Sequence, residues 1–173
     1  DISRRMLEVA REKNAHPSVE YRQVAFEDAQ FPEGSFDVAL CSLMLHYLAS
    51  YEEFLDAMRR WLCPGGTLIY TVEHPIFTAQ GPQDWCYGPD GEILHFPVDH
   101  YFEEGERDAV FLGEHVVKYH RTLTTYLDGL ARHGFCLERV VEPQPTPEMV
   151  RDIPGMADEL RRPMMLIVRA ERR

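Results

Sequence analysis

Two stretches in the first part of the chain have the 3.6-residue apolar period of amphipathic helices. The first predicted helix spans residues 3–13, with Ser3 as its N-cap. The second begins after Ser50, which forms a capping box with Glu53 three residues later. It ends at the turn-forming residues 63–66, Cys-Pro-Gly-Gly.

Strand-like patterns separate these helices. Residues 36–42 are a near-continuous apolar run after a turn, which is typical of a strand buried on both faces, and residues 67–72 form a β-branched strand. A looser alternation over residues 19–24 predicts a short strand. Because helices alternate with buried strands, we expect right-handed βαβ units and a parallel sheet.

The second part of the chain loses this rhythm. Residues 75–120 are rich in Gly, Pro and aromatics without a clean helical period, which indicates a lid or substrate insertion with one strand near 113–119. A helix capped by Thr122 and ended by Gly134 follows. The last strands are predicted over residues 135–141 and 164–168 and are close enough to form an antiparallel edge. We therefore expect one α/β domain over residues 1–173, a Rossmann-like, mostly parallel sheet with an antiparallel edge.

Composition narrows the functional classes. A length of 173 residues and 45% apolar content fit one globular domain, and the net charge of −11 makes nucleic acid a poor partner. The longest uncharged apolar run, residues 38–48, is too short to cross a bilayer, so we expect no membrane partner. Four scattered cysteines without a CxxC favour free thiols in a reducing cytoplasm. Nothing in the pattern indicates the oligomeric state.

Candidate chemistry follows the predicted strands, because ligands of open α/β sheets bind beyond the carboxyl ends of strands. The residues at these positions are Asp1, if a strand precedes it, then 27–29, 42–47 and 73–75. Each group includes a carboxylate, a hydroxyl or an imidazole. The pattern therefore predicts a ligand site built from several strand ends.

Together these motifs resemble the class I S-adenosylmethionine-dependent methyltransferases of small-molecule type. The matching stretches, in order, are Asp1-Ile2-Ser3, Glu27-Asp28-Ala29, Phe31-Pro32, Ser35-Phe36-Asp37-Val38, His46-Tyr47-Leu48 and Leu62-Cys63-Pro64-Gly65-Gly66-Thr67-Leu68. A looser match continues through Glu73-His74-Pro75, Lys118-Tyr119-His120-Arg121 and Gly134-Phe135. The resemblance implies a Rossmann-like fold, S-adenosyl-L-methionine as cofactor and a small-molecule substrate.

The family's glycine-rich loop has no counterpart in these 173 residues. No GxGxG occurs, and Gly65-Gly66 follows a helix as a stop signal. In the resemblance Asp1 corresponds to the acidic residue that ends the family's second strand, so we expect an N-terminally truncated fold, the C-terminal part of a methyltransferase. Whether the chain is active on its own is left open.

The resemblance assigns the adenosine end of the cofactor to the first group of residues. Asp1 would accept hydrogen bonds from the ribose hydroxyls, and Asp28, beside Glu27, one from the adenine amine. The backbone N–H of Ala29 would face the ring edge. The alternatives are a terminal charge for Asp1 and a local turn bond for Asp28.

The resemblance assigns the methionine end to Ser42, Leu43 and His46, which follow the buried strand at residues 36–42. For His46 the alternative is a packed residue at a helix start. Aromatic side chains beside the adenine, Phe26 or Phe31, are equally consistent with a core role.

Methyl transfer from a sulfonium is an in-line displacement with an excellent leaving group, so alignment and desolvation supply most of the catalysis. A general base is needed only if the acceptor must lose a proton. His74, at the carboxyl end of a predicted strand and the start of the lid, is our first candidate, followed by His120 and Glu73. Alternatively, His74 hydrogen-bonds to backbone and shapes the turn.

Six aromatic residues of the lid are candidates for an apolar or aromatic substrate pocket, although they would equally attach the lid to the core. They are Trp85, Tyr87, Phe96, Tyr101, Phe102 and Phe111. The spacing of His95, His100, Glu103 and Glu104 fits no strong metal template, so we predict no metal site.

Two other functions compete with a methyltransferase. One is a non-catalytic Rossmann-like remnant or interaction domain without a cofactor site. The other is a nicotinamide-dependent oxidoreductase, which would also need a glycine loop and finds no support beyond residue 74. A strand and glycine-rich loop ~20 residues upstream of Asp1 would favour the methyltransferase.

Overall fold

The computed structural model describes all 173 residues, which form two compact units, Asp1–Pro32 and Glu33–Arg173. The first unit contains helix α1, Arg4–Lys13, whose N-cap Ser3 accepts a hydrogen bond from the Met6 N–H at 3.3 Å. The strand predicted over residues 19–24 is wrong, because no neighbouring strand pairs with this mostly exposed segment. Its alternation was too loose to specify a buried face.

The second unit contains four helices and eight strands. In chain order they are β1 Phe36–Ser42, α2 Tyr51–Trp61, β2 Leu62–Glu73, α3 Pro75–Thr78, β3 Cys86–Tyr87, β4 Ile93–His95, β5 Gly105–Phe111, β6 Glu114–His120, α4 Leu123–Arg132, β7 Phe135–Val141, α5 Pro147–Asp152 and β8 Met165–Arg172. Single 3₁₀ turns occur at Leu45–Tyr47 and Asp158–Arg161. No helix is long and apolar enough to cross a membrane.

The main sheet has the order β1-β2-β8-β7. Strands β1 and β2 run parallel, with Ser42 opposite Thr71, whereas β8 is antiparallel to both β2 and β7. The predicted α/β class and the antiparallel edge formed by the last two strands are confirmed. Because β1 and β2 are parallel neighbours, their carboxyl ends lie side by side.

Strand β1 differs from its prediction. It lies at an edge of the sheet, and Val38 and Leu40 on the same face are 57% and 70% exposed. Within residues 1–173, β1 pairs on one edge only, so it is not buried on both faces as its apolar run indicated. An apolar run indicates a strand, but it does not fix the strand's position in the sheet.

The core lies where α2 and α4 pack on β2. Side-chain hydroxyls of Tyr51 and Tyr70 both donate to the backbone carbonyl of Tyr126, at 2.9 and 3.2 Å, and all three tyrosines are buried. Satisfying these polar atoms inside the core removes the penalty of burying them. This packing holds β2 and the two helices together behind the strand ends.

The capping residues in the sequence predicted the ends of helices α2 and α4 correctly. The Ser50 hydroxyl accepts from the Glu53 N–H at 3.1 Å, and the Thr122 hydroxyl accepts from the Thr125 N–H at 3.2 Å. Gly134 follows α4 with a φ of +77°, a conformation that favours glycine. These caps confirm the predicted starts of α2 and α4 and the end of α4.

Residues 75–120 contain more regular structure than their sequence indicated. They form α3, the short hairpin β3–β4 and the longer hairpin β5–β6. The strand predicted near 113–119 is confirmed as β6. The assignment of this segment as a lid stays a prediction.

Candidate active site

An exposed turn follows β1 at the carboxyl end of the parallel pair. The Leu43 N–H donates to the carbonyl of Thr71 on β2 at 2.8 Å, and Leu43 adopts a left-handed φ of +53°. This conformation is uncommon for a residue with a Cβ, so the turn is held by its surroundings. Ser42 and Leu43 are exposed, as a ligand contact requires.

A buried arginine fixes the rest of this turn. Arg121, which follows β6, donates to the carbonyls of Leu45 at 3.1 Å, Leu48 at 2.5 Å and Ala49 at 2.9 Å. It adds a second donor to the Leu45 carbonyl, which also accepts from the Leu48 N–H, and it pairs two further carbonyls of the same segment. Arg121 belongs to the Lys118–Arg121 motif, but nothing in the sequence indicated this structural role.

His46 is buried within this turn, with 2% of its surface exposed. Its Nδ1 accepts a long hydrogen bond of 3.5 Å from the Glu73 N–H. Burial lowers the pKa of His46 to about 4, although the Glu73 carboxylate opposes this shift. The imidazole is therefore neutral at neutral pH, as the alternative of a packed residue would require.

A closed ring of polar side chains lies at the end of β2. The Lys118 ammonium donates to Glu73 Oε1 and to Gln83 Oε1, both at 2.7 Å, and Gln83 Nε2 donates to Glu73 Oε2 at 2.8 Å. Lys118 is 1% exposed and Glu73 is 7% exposed. The attraction between the two charges offsets the free-energy cost of burying them. The ring also joins residue 83 of the predicted lid to the sheet.

His74 directly follows β2 and is the N-cap of α3. Its Nδ1 accepts from the Ile76 N–H at 3.1 Å, and its Nε2 lies 2.9 Å from Oε1 of Glu142. Burial lowers the pKa of His74, and Glu142 opposes the shift. Because Nδ1 accepts a backbone hydrogen bond, the neutral ring carries its proton on Nε2. His74 thus shapes the turn, and its role as a base stays a prediction.

His120, the last residue of β6, is fully buried. Its Nε2 donates to the Tyr101 carbonyl at 2.8 Å, which leaves Nδ1 to accept from the Thr78 hydroxyl at 2.8 Å. Burial lowers the pKa of His120. Since Thr78 lies on the helix that His74 caps, α3 connects the two predicted catalytic histidines.

The adenosine-side residues lie in the first unit. The Asp1 carboxylate accepts from the Ser3 N–H at 2.7 Å and is exposed. Glu27 and Asp28 are exposed with no side-chain hydrogen bond, while the Ala29 N–H donates to the Phe26 carbonyl at 3.1 Å within a turn. The two free carboxylates are available to a ligand, whereas the Ala29 N–H is already engaged.

Four of the six aromatic residues of the predicted lid separate into two groups. Trp85 and Phe96 line a cleft of about 320 Å³ together with Ile76 from α3. Tyr101 packs edge-on against His120, with ring centres 5.7 Å apart, and Phe102 is 88% exposed. The cleft, rather than the whole set, is the candidate acceptor pocket.

The acidic and histidine residues near the lid stabilise local structure. Glu104 accepts from the N–H and hydroxyl of Thr122, each at 2.7 Å, and so supports the cap of α4. His100 Nδ1 lies 3.0 Å from Glu103 Oε2 at the surface. His95 lies at the rim of the cleft.

The chain is similar to known proteins along its whole length. The sequence model of a family described as "Methyltransferase domain" matches residues 1–70. A solved structure from Listeria monocytogenes, assigned as an S-adenosylmethionine-dependent methyltransferase, has 47% identity and a TM-score of 0.95 over 100% of this chain and 78% of its own. An S-adenosylmethionine-dependent methyltransferase from Mesorhizobium loti has 38% identity and a TM-score of 0.86 over 99% of this chain and 78% of its own. An uncharacterized Haemophilus influenzae protein is 30% identical over 83% of this chain, which spans 57% of that protein's length.

Proposed function

The chain belongs to the class I S-adenosylmethionine-dependent methyltransferases, and we propose that the protein carrying residues 1–173 transfers a methyl group to a small-molecule acceptor. The single observation that carries this proposal is the pair of adjoining strand ends, β1 and β2, with the exposed Ser42–Leu43 turn beside them. Ligands of open α/β sheets bind at this edge.

Each of the two units, taken by itself, carries exposed residues that the resemblance assigns to S-adenosyl-L-methionine. The free carboxylates of Glu27 and Asp28 match the donor groups of an adenosine, and the remaining oxygen of Asp1 matches a ribose hydroxyl. Ser42 and Leu43 would border the methionine end. When bound, the cofactor supplies an activated methyl group on a sulfonium.

The chain's own residues would then align the acceptor and exclude water. Arg121 holds the turn after β1, and the ring of Glu73, Lys118 and Gln83 holds the start of the lid. Both restraints act on backbone next to the strand ends. A small displacement of this backbone would misalign the cofactor and the acceptor and so reduce the rate. His46, beside them, is neutral and buried and fills the space under the turn.

A base role for His74 or His120 requires a local rearrangement. Nδ1 of each ring already accepts a hydrogen bond, so proton uptake would break the cap of α3 or the bond to Thr78. We therefore propose His74 and His120 first as residues that position α3. A base role remains open for an acceptor that must lose a proton.

We propose a cytoplasmic location and a small molecule, rather than nucleic acid or a membrane, as partner. The four cysteines are all free thiols, which suits a reducing compartment. The charge of −11 disfavours phosphate backbones.

Titration calorimetry with S-adenosyl-L-methionine tests the proposal on the natural protein that carries these residues. Replacing Asp28 by Ala removes one charge-assisted hydrogen bond and should weaken binding roughly tenfold to a hundredfold. Glu12→Ala, at an exposed position on α1, is the matched control and should bind like the wild type. Equal affinity of all three proteins would contradict the adenosine site.

Turnover separates positioning from base catalysis at His74. If His74 is a base, His74→Ala should leave cofactor affinity nearly intact and reduce the rate by ~10²–10⁴, with partial recovery at higher pH. If it shapes the turn, affinity and rate should fall together without recovery. Unchanged turnover would exclude both roles.

A further inference from the structure

Trp85 forms an aromatic wall of the cleft beside α3. Its ring meets Phe96 edge-on, with ring centres 5.4 Å apart, and the guanidinium carbon of Arg162 lies 4.9 Å from the centre of the Trp85 ring. The cleft has a volume of about 320 Å³, at the lower end of the usual range for ligand pockets, ~300–1,000 Å³. In a cleft of this size, a different orientation of one indole ring would change a large part of the space.

The segment that carries Trp85 has few backbone restraints. No backbone hydrogen bond joins residues 80–85 to a neighbouring strand or helix. Near its start the segment passes close to β5, because a Cβ added to Gly81 would lie 2.4 Å from the carbonyl oxygen of Asp108. Any restraint on the backbone closer to Trp85 must therefore come from side chains.

Gln83 supplies such a restraint, and its own backbone is strained. Its φ of +53° lies in the left-handed region, which is uncommon for a residue with a Cβ. Its Oε1 accepts from the Lys118 ammonium at 2.7 Å, and its Nε2 donates to Glu73 Oε2 at 2.8 Å. A strained backbone conformation persists only where the surroundings impose it. The two side-chain hydrogen bonds to charged groups impose it on Gln83.

The anchor of Gln83 is a buried ion pair at the end of β2. Lys118 on β6 and Glu73, the last residue of β2, are 1% and 7% exposed. Hydrogen bonds to charged groups are roughly twice as strong as those between neutral groups. A firm anchor at the strand end is thus only two residues away from the cleft wall formed by Trp85.

We propose that Gln83 is a positioning residue of the acceptor site, which fixes the Trp85 wall of the cleft relative to the carboxyl end of β2. The ring of Gln83, Glu73 and Lys118 would then join the edge where the cofactor binds to the wall against which the acceptor lies. Gln83 acts through Trp85 and does not itself contact the acceptor. This inference rests on the proposed function, to which it adds a residue that sets the shape of the acceptor site.

An exchange of the amide and the carboxylate tests the proposal on the natural protein that carries residues 1–173. Gln83→Glu places a second carboxylate beside Glu73 and should release the segment. In the double variant Glu73→Gln/Gln83→Glu, Lys118 can again donate to both side chains, and the amide can again donate to the carboxylate. Because the double variant has the composition and charge of the wild type, it should restore the position of Trp85.

The order parameter of the Trp85 backbone N–H, from ¹⁵N relaxation, measures the release. We expect ~0.85 in the wild type and in the double variant, and a value below ~0.6 in Gln83→Glu. The Trp85 indole N–H resonance should shift in the single variant and return in the double variant. The order parameter of Trp61, in α2, is the internal reference and should not change.

Two further variants separate the lost hydrogen bonds from the added charge. Gln83→Met removes both hydrogen bonds without adding a charge, and it should lower the order parameter of Trp85 as Gln83→Glu does. Gln80→Met is the matched control, because it makes the same change in the same segment at a side chain without a hydrogen bond. It should leave Trp85 as in the wild type.

Three results would overturn the proposal. An unchanged order parameter of Trp85 in both single variants of Gln83 would mean that the ring does not fix the wall. Equal losses at Trp85 and Trp61 would show that Gln83 only supports the fold as a whole, and a double variant that does not restore Trp85 would exclude the ring as the cause.

A separate titration of the wild type with S-adenosylhomocysteine, followed at the Ser42 and Leu43 amides, tests the proposed function. Absence of binding there would contradict the cofactor site, whatever the variants show at Trp85. Failure of the cofactor site and failure of the positioning role are thus distinguished.

Discussion

Replacing His46 by Gln should change how the stability of the chain depends on pH. The unfolded chain protonates His46 near its ordinary pKa of 6.5, whereas burial lowers the pKa in the folded chain to about 4. Between these values the unfolded state binds more protons than the folded state. The stabilisation is therefore present above pH 6.5 and is lost as the pH falls toward 4.

The size of this loss follows from the two pKa values. Relative to neutral pH, protonation of the unfolded chain at His46 lowers the free energy of unfolding by about 1 kcal/mol at pH 5.5 and by about 2 kcal/mol at pH 4.5. His46→Gln removes the titrating group but keeps a polar side chain. Its stability should thus fall less on acidification than that of the wild type, by these amounts.

Urea unfolding, followed by far-UV circular dichroism at neutral pH and at the two acidic values, measures the difference. The control is His16→Gln, at an exposed position after α1, which should follow the wild-type curve. Parallel pH curves for wild type and His46→Gln would refute the reasoning. They would mean that the turn after β1 opens enough to hydrate the imidazole.

Three further substitutions test the restraints around the site. Lys118→Met leaves Glu73 as an unpaired buried charge and should lower the free energy of unfolding by ~3–5 kcal/mol in urea titrations; Glu73→Gln in the same chain should restore part of the loss. Ser50→Ala should cost about 1 kcal/mol in the same assay, because the cap of α2 is lost, and no change would mean that the cap is not needed. Leu40→Lys should increase the monomer fraction in size-exclusion chromatography, since β1 is an exposed apolar edge, whereas Leu112→Lys, exposed but outside the main sheet, should not.

The parts of the fold that sequence predicted well are those set by local chemistry. The caps at Ser3, Ser50 and Thr122 and the left-handed Gly134 each depend on atoms within four residues of one another. Such signals are complete in the sequence itself. Helix ends were therefore predicted more accurately than strand environments.

The predictions that failed concern strands whose burial depends on pairing with segments distant in sequence. Residues 19–24 alternate weakly and find no partner strand among residues 1–173, and β1, which has the composition of a central strand, pairs on one edge only. An apolar run reports propensity, whereas burial depends on which strands lie on either side. The sheet order of β1, β2, β8 and β7 also could not be read from the chain, because β8 pairs with β2 about a hundred residues away.

The candidate site was predicted as a set of positions but not as a set of contacts. Ser42 is the last residue of β1, and His46 and His74 follow the ends of β1 and β2, as the α/β topology requires. Lys118 and Arg121 reach this region from 45 residues and more away in sequence, and a lysine or arginine at the end of a hairpin carries no local sign of burial. The sequence also did not indicate that the charge of Arg162 in the cleft wall is neutralised, because this depends on its ion pair with Glu159.

The state of the histidines bears on the kind of acceptor that the proposed reaction would use. In His46, His74 and His120 burial lowers the pKa, and Nδ1 of each ring is engaged in a hydrogen bond. Such an imidazole is uncharged, and the lone pair on its Nδ1 is already used. To take a proton from the methyl acceptor, it would first have to break a structural hydrogen bond. Transfer to an atom that is already nucleophilic, such as a neutral ring nitrogen, requires no such step.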